Sequence, residues 1–255
     1  MKTNSPKNPT CAAGECRGFT LLELMVVILT SAVLMALLFP ALGKSSDNGT
    51  RTVCVNNLRQ LGSALLMYGG DNNDYMAYPN WGTSGPGWLY TTTNNTIPDP
   101  TAAAYATNVA AAYQPGLWFG YVRNPKAYLC PVDLESRYYT MRANKLSSYV
   151  MNGAVSGYGA YPVPRAKLTD IWSPRCYLLW NPDENVNSIG AFAFNDGSSF
   201  PDRNEGPGCL HTANGTDLLI VGGNVQYVSL QKFRTEQSAT GLSLAWWSPF
   251  SSNGH

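Results

Sequence analysis

The chain has 255 residues, a formal net charge of +1 and only 13% charged residues. A near-neutral chain without a basic cluster gives no sign of a nucleic-acid partner, and its length leaves about one domain beyond any anchor. Its 15 Tyr and 7 Trp, with abundant Gly, Pro, Ser, Thr and Asn, fit an extracellular, loop-rich surface better than a cytosolic enzyme.

Residues 1–18 are polar and carry Lys2, Lys7 and Arg17. An apolar run follows, opened by Gly18-Phe19-Thr20-Leu21-Leu22-Glu23. From Leu24 to Leu42 no residue is charged and eleven are Leu, Ile, Val or Phe. At roughly −0.3 to −0.6 kcal/mol each, these favour insertion by about 5 kcal/mol. As a helix, Phe19–Leu42 reaches roughly 36 Å, enough to cross a hydrocarbon core. The one carboxylate, Glu23, sits a turn from the helix start, where the helix dipole favours an anion. A charge in such surroundings points to a function. The residues alone leave two readings open: a secretory signal cut after a small residue such as Gly43, or an unprocessed anchor. Flanking charge does not set the orientation, because Lys44, Arg51 and Arg59 follow the run closely.

Arg17-Gly18-Phe19-Thr20-Leu21-Leu22-Glu23-Leu24 resembles the processing site of type IV pilins and of the pseudopilins of type II secretion. The resemblance implies a leader, 1–18, cut between Gly18 and Phe19 by a prepilin peptidase, which also methylates the new amine of Phe19. It implies an assembly helix, 19–42, in which Glu23 is the fifth mature residue and Pro40 falls at a helix-bending position. Glu23 of an incoming subunit is then expected to meet the Phe19 amine of its neighbour, neutralising two charges that are costly in low dielectric. The implied partners are other pilin or pseudopilin subunits, an inner-membrane assembly platform and membrane lipid. The implied location is the inner membrane, single-pass, with the C-terminal domain outside the cytoplasm.

Lys44–Thr50 reads KSSDNGT, a polar stretch whose Gly49 weakens a helix by about 1 kcal/mol relative to Ala. A break is expected there, followed by an amphipathic helix within 43–70. Cys54, Leu58, Leu61, Leu65 and Tyr68 recur at helical spacing and form a stripe suited to packing on a sheet, and Gly69-Gly70 is an expected stop. Residues 71–255 are expected to form a globular, β-rich domain with a loop insertion at 81–114, in which Ala102–Tyr113 forms a short helix. The strand candidates are Ala127–Cys130, Ser148–Met151, Cys176–Trp180, Ala191–Phe194, Leu218–Val221, Val225–Leu230 and Leu242–Trp247. A tight hairpin is expected at Gly222-Gly223-Asn224. The fold class is therefore α+β: a long N-terminal helix, half transmembrane and half amphipathic, packed on a mostly antiparallel, pilin-like sheet.

A second resemblance rests on Val53–Gly62, Met67-Tyr68, Asp71–Tyr75, Phe119–Val122, Asn124-Pro125, Leu129-Cys130-Pro131 and Ser148–Gly153. These patches resemble a large pseudopilin-like family marked by a His followed nine residues later by Asp-Gly. Here His211 is followed at that distance by Val221-Gly222, so the aspartate is missing. The motif is degraded, and a structural hydrogen bond from His211 to the hairpin is expected.

Cys11 and Cys16 fall in the leader. The other four cysteines, Cys54, Cys130, Cys176 and Cys209, suggest disulfides in an exported domain, with Cys54–Cys130 and Cys176–Cys209 the favoured pairing; their spacing fits no zinc pattern. Asp71 and Asp74 offer clustered oxygens, and Ca²⁺ binds such loops in some related pseudopilins, although turn chemistry explains the cluster without a metal. No nucleophile elbow, phosphate loop or paired-histidine motif is present, so no catalytic residues, enzyme activity or obligatory cofactor is expected. The reading is a prepilin-like structural subunit. The alternative is a membrane-anchored surface protein whose Trp81, Trp88, Tyr90, Trp118, Trp246 and Trp247 stack on glycans.

Overall fold

The computed structural model describes residues 19–92, 94–183, 195–202 and 205–255, with backbone alone for 36–48. The leader, Gly18 and the strand candidate Ala191–Phe194 lie outside the described residues, as does the side chain of Pro40. The chain divides into two compact units, residues 1–46 and 47–255.

Helix α1, Leu21–Asp71, contributes to both units. The backbone is helical through Lys44–Thr50, so the expected break is absent there. One glycine costs about 1 kcal/mol, and without a proline in this stretch the tertiary contacts that follow outweigh it. The N-terminal unit exposes Phe19, Leu21, Leu22 and most of the apolar side chains onward to Met35. Among the described residues, no helix is long and apolar enough to cross a membrane.

In the second unit the elements after α1 are short. They are α2 (Phe119–Val122), α3 (Pro131–Leu134), β1 (Val150–Asn152), β2 (Tyr177–Trp180), β3 (Ser198–Ser199), β4 (Gly215–Ile220), β5 (Val225–Ser229) and α4 (Leu230–Gln237). The five strands form one sheet in the order β3-β1-β2-β4-β5. Only the β1–β3 pair is parallel; the others are antiparallel. The architecture is α+β, as expected.

Each face of the sheet carries an apolar cluster, and β2 is buried along its whole length. One face packs Met151, Leu179 and Leu219 with Leu58, Leu61, Leu65 and Tyr68 of α1. The other packs Val150, Tyr177, Trp180, Leu218 and Val228 with Phe233 of α4. A bulge between Tyr177 and Leu179 puts Leu178 and Leu179 together on the α1 side. The periodic stripe read from the sequence is thus the buried face of α1, with Cys54 also buried.

Two close contacts fix α1 on the sheet. A Cβ at Gly62 would lie 2.3 Å from the Gly223 carbonyl oxygen and 2.8 Å from Leu219 Cδ1. Gly223 has φ +81°, in the left-handed region that the β4–β5 turn requires. Nearer the start of this unit, Arg51 Nε and Asp217 Oδ2 form an ion pair at 2.6 Å, and the guanidinium also lies over the Tyr227 ring.

Several expectations need correction. Ala127–Cys130 is not a strand. Asn124 caps a 3₁₀ turn at Pro125–Tyr128 by accepting from the Lys126 N–H, and Pro131 then opens α3. Leu242–Trp247 is irregular: the Ser243 hydroxyl accepts from the Ala245 and Trp246 N–H groups, a turn that overrides β propensity. Ala102–Tyr113 forms two 3₁₀ turns rather than a helix. Segment 81–114 is not a loop apart from the core, because Trp88, Leu89, Tyr90, Ala112 and Tyr113 are fully buried.

Candidate functional site

The start of α1 is a reciprocal cap. Thr20 N–H and Thr20 Oγ1 donate to Glu23 Oε2 at 2.9 and 2.8 Å, while Glu23 N–H donates to Thr20 Oγ1 at 3.2 Å. The Thr20-x-x-Glu23 pattern is a capping box, which satisfies backbone donors left free at a helix start. Glu23 thus faces the backbone one residue from Phe19, and Phe19 is 80% exposed.

The second constellation joins three distant segments. Cys54 comes from the buried stripe of α1, Cys130 from the cap position of α3, and His211 from the approach to β4. His211 Nε2 lies 3.0 Å from Cys54 Sγ and 3.1 Å from Cys130 Sγ. Both thiols are buried and the imidazole is half-buried. The hydrogen bond from Cys54 holds the Cys130 thiol well below the usual range, helped by His211 and by the Asp133 N–H, against the effect of burial. The same bond, reinforced by burial, pushes Cys54 far up.

The surroundings fix this trio. Cys130 N–H donates to Ser148 Oγ at 2.8 Å, and Ser148 Oγ donates to Asp133 Oδ2 at 2.5 Å. The buried guanidinium of Arg142 spans both oxygens of Asp133 at 3.0 and 2.7 Å. Asn57, one turn after Cys54, donates to the Leu129 carbonyl at 2.8 Å and ties α1 to the Cys130 segment.

This geometry corrects two expectations. His211 bonds to the two thiols rather than serving the β4–β5 hairpin. All four described cysteines are free thiols in the structure. Cys54 and Cys130 do lie together, but Cys176 is sealed in the core whereas Cys209 is exposed. The trio escaped a search by spacing because its members are 76 and 81 residues apart in the chain.

Asp71 and Asp74 accept from different elements. Asp71 Oδ2 takes the Tyr121 hydroxyl at 2.9 Å and Asp74 Oδ2 takes the Thr169 N–H at 3.2 Å. Asn72 Nδ2 donates to the Tyr68 carbonyl, and Asn73 and Asp74 have positive φ, so this loop serves as the C-terminal cap of α1. Trp88, Tyr90, Trp118 and Trp247 are buried and present no face on which a sugar ring stacks.

Comparison with known proteins places the N-terminal part. No family model and no solved structure matches the chain. Type II secretion system core protein G of Pectobacterium carotovorum is 48% identical over 59 residues, 23% of this chain and 38% of that protein. The proteins of that name from Klebsiella pneumoniae and Pseudomonas aeruginosa are 46% identical over 59 residues and 38% identical over 63. Each match covers 42% of those two proteins and 23% or 25% of this chain. The similarity falls on the N-terminal ~60 residues.

The N-terminal part of this chain is pseudopilin-like.

It spans less than half the length of the relatives it matches. The similarity falls within the part of the chain that holds the N-terminal portion of α1. The sheet, Cys130, His211 and the core of 81–114 lie C-terminal to it.

Proposed function

We propose that this protein is a structural subunit of a type II secretion pseudopilus or related pilus, not an enzyme. It is made as a precursor, cut between Gly18 and Phe19, methylated on the Phe19 amine and anchored in the inner membrane by 19–42, with its globular unit outside the cytoplasm. The observation that carries this reading is the identity to core protein G over the N-terminal ~60 residues, the part of the chain that contains Gly18, Phe19, Glu23 and the apolar run.

The exposed side chains between Phe19 and Met35 support it. A contiguous apolar surface of this length calls for lipid or neighbouring helices to cover it. In the assembled fibre the helices of other subunits take that place, and Pro40 lies where the helix leaves the bilayer. Glu23 has two successive partners on this reading. Before assembly it satisfies the Thr20 N–H and hydroxyl; on assembly it takes the ammonium of a neighbour's Phe19, a charge-assisted bond about twice as strong as a neutral one. The prepilin peptidase and an inner-membrane platform act on the chain and supply the chemistry and force it lacks.

Glu23→Ala tests the assembly role. The variant is expected to be cleaved like the wild type and to accumulate in the membrane, with its recovery in sheared fibre fractions reduced at least about tenfold. Equal recovery of variant and wild type in fibres would remove Glu23 from assembly.

A further inference from the structure

We propose that Cys54, Cys130 and His211 bind one thiophilic metal ion of the zinc class, stapling α1 to the α3 and β4 segments. Among the described residues they form one group of three donors, with all three donor atoms within 4.8 Å of one another. Two thiols and an imidazole are a donor set suited to Zn²⁺, which takes Cys sulfur at about 2.3 Å and His nitrogen at about 2.0–2.1 Å. A tetrahedral ion at those distances separates sulfur from nitrogen by roughly 3.5 Å. The two S···N separations of 3.0 and 3.1 Å therefore need to open by only about half an ångström.

The frame around the trio is built like that of a metal centre. Ligands work when their own supports are fixed. Here the Cys130 backbone is held by Ser148, Ser148 by Asp133, and Asp133 by both arms of Arg142. Cys54 sits in a helix locked by the Asn57–Leu129 bond. Both sulfurs are buried and His211 is half-buried, so the fourth ligand of a tetrahedral ion would come from solvent on the His211 side. Binding would release the protons of the thiols. A hydrogen-bonded core histidine explains less: it gives no reason for one nitrogen to face two sulfurs.

The test uses the full-length protein in detergent under a thiol-free reductant, titrated with Co²⁺ as a spectroscopic probe. A sulfur-to-cobalt charge-transfer band and strong visible d–d absorption should saturate at one equivalent and disappear on adding Zn²⁺. Cys130→Ser should abolish the charge-transfer band or cut it by about half, and His211→Ala should weaken binding at least about tenfold, with circular dichroism checking the fold of each. A wild-type titration without a charge-transfer band overturns the proposal whether or not the variants fold. So does one unchanged by both substitutions. Protein isolated from membranes without reductant should carry one zinc per chain, with both thiols open to alkylation after metal removal. A Cys54–Cys130 disulfide in place of the metal would also overturn the proposal.

Discussion

Glu205 shows how a single carboxyl couples this fold to pH. Its backbone carbonyl accepts from Trp180 Nε1 and Ser199 Oγ, and its carboxylate accepts from the Phe200 N–H at 2.8 Å. Burial, with added repulsion from Asp202 and Asp196, pushes the carboxyl up to about 7. The unfolded carboxyl ionises near 4.5. Between these values the unfolded chain has lost a proton that the fold retains, so stability falls as pH rises through the window and levels off above it. Glu205→Gln removes the ionisation and keeps an oxygen for Phe200. It should gain on the order of 1 kcal/mol relative to wild type between pH 4.5 and 8, a figure reduced for the side chain's contact with water. Denaturant unfolding at the two pH values measures it. A wild-type slope retained in full by the variant would assign the effect elsewhere. Burial raises Asp196 in the same direction, so a smaller slope should remain.

Helix α1 was legible because its signals are local. The stripe Cys54, Leu58, Leu61, Leu65 and Tyr68 is periodic, and the structure buries all five. The hairpin at Gly222-Gly223-Asn224 carried turn chemistry that the β4–β5 pairing requires. Other elements were hidden because neighbours override local preference. Ser198-Ser199 lacks strand propensity but pairs with Met151 and Asn152. Phe233 belongs to α4, whose start is capped by Ser229 accepting from the Lys232 N–H, a signal that adjoins a strand and is masked by it. Trp88 and Tyr90 lie among Gly, Pro and Thr, a composition that suggests a loop, yet Trp88 Nε1 donates to the Gly197 carbonyl and Asn80 holds the Leu89 and Tyr90 N–H groups. The thiol–imidazole trio was illegible for a related reason: only the tertiary fold brings α1, α3 and the β4 approach together. Two glycines of α1 separate propensity from packing. Gly62→Ala should destabilise by about 2 kcal/mol, because overpacking against Gly223 and Leu219 outweighs the helix gain of about 1 kcal/mol. Gly49→Ala meets no atom within 4 Å and should stabilise by up to about 1 kcal/mol. Thermal melts of the pair should move in opposite directions, and a shift of the same sign in both would refute close packing at Gly62.

The molecule as a whole joins two kinds of surface. Residues 19–35 present apolar side chains outward, whereas the unit from Asp47 onward has a buried apolar cluster on each face of its sheet. That division matches a subunit held in a membrane or fibre by its N-terminal helix while a self-contained domain folds beyond it. The proposed assembly role requires a defined mature N-terminus, since on that proposal Glu23 meets a neighbour's amine only if the chain begins at Phe19. Intact mass with N-terminal sequencing of the membrane-extracted protein therefore tests the account most directly. The expected result is a chain that starts at Phe19 and carries one methyl on its amine. A chain that starts at Met1, or beyond Leu42, would contradict it.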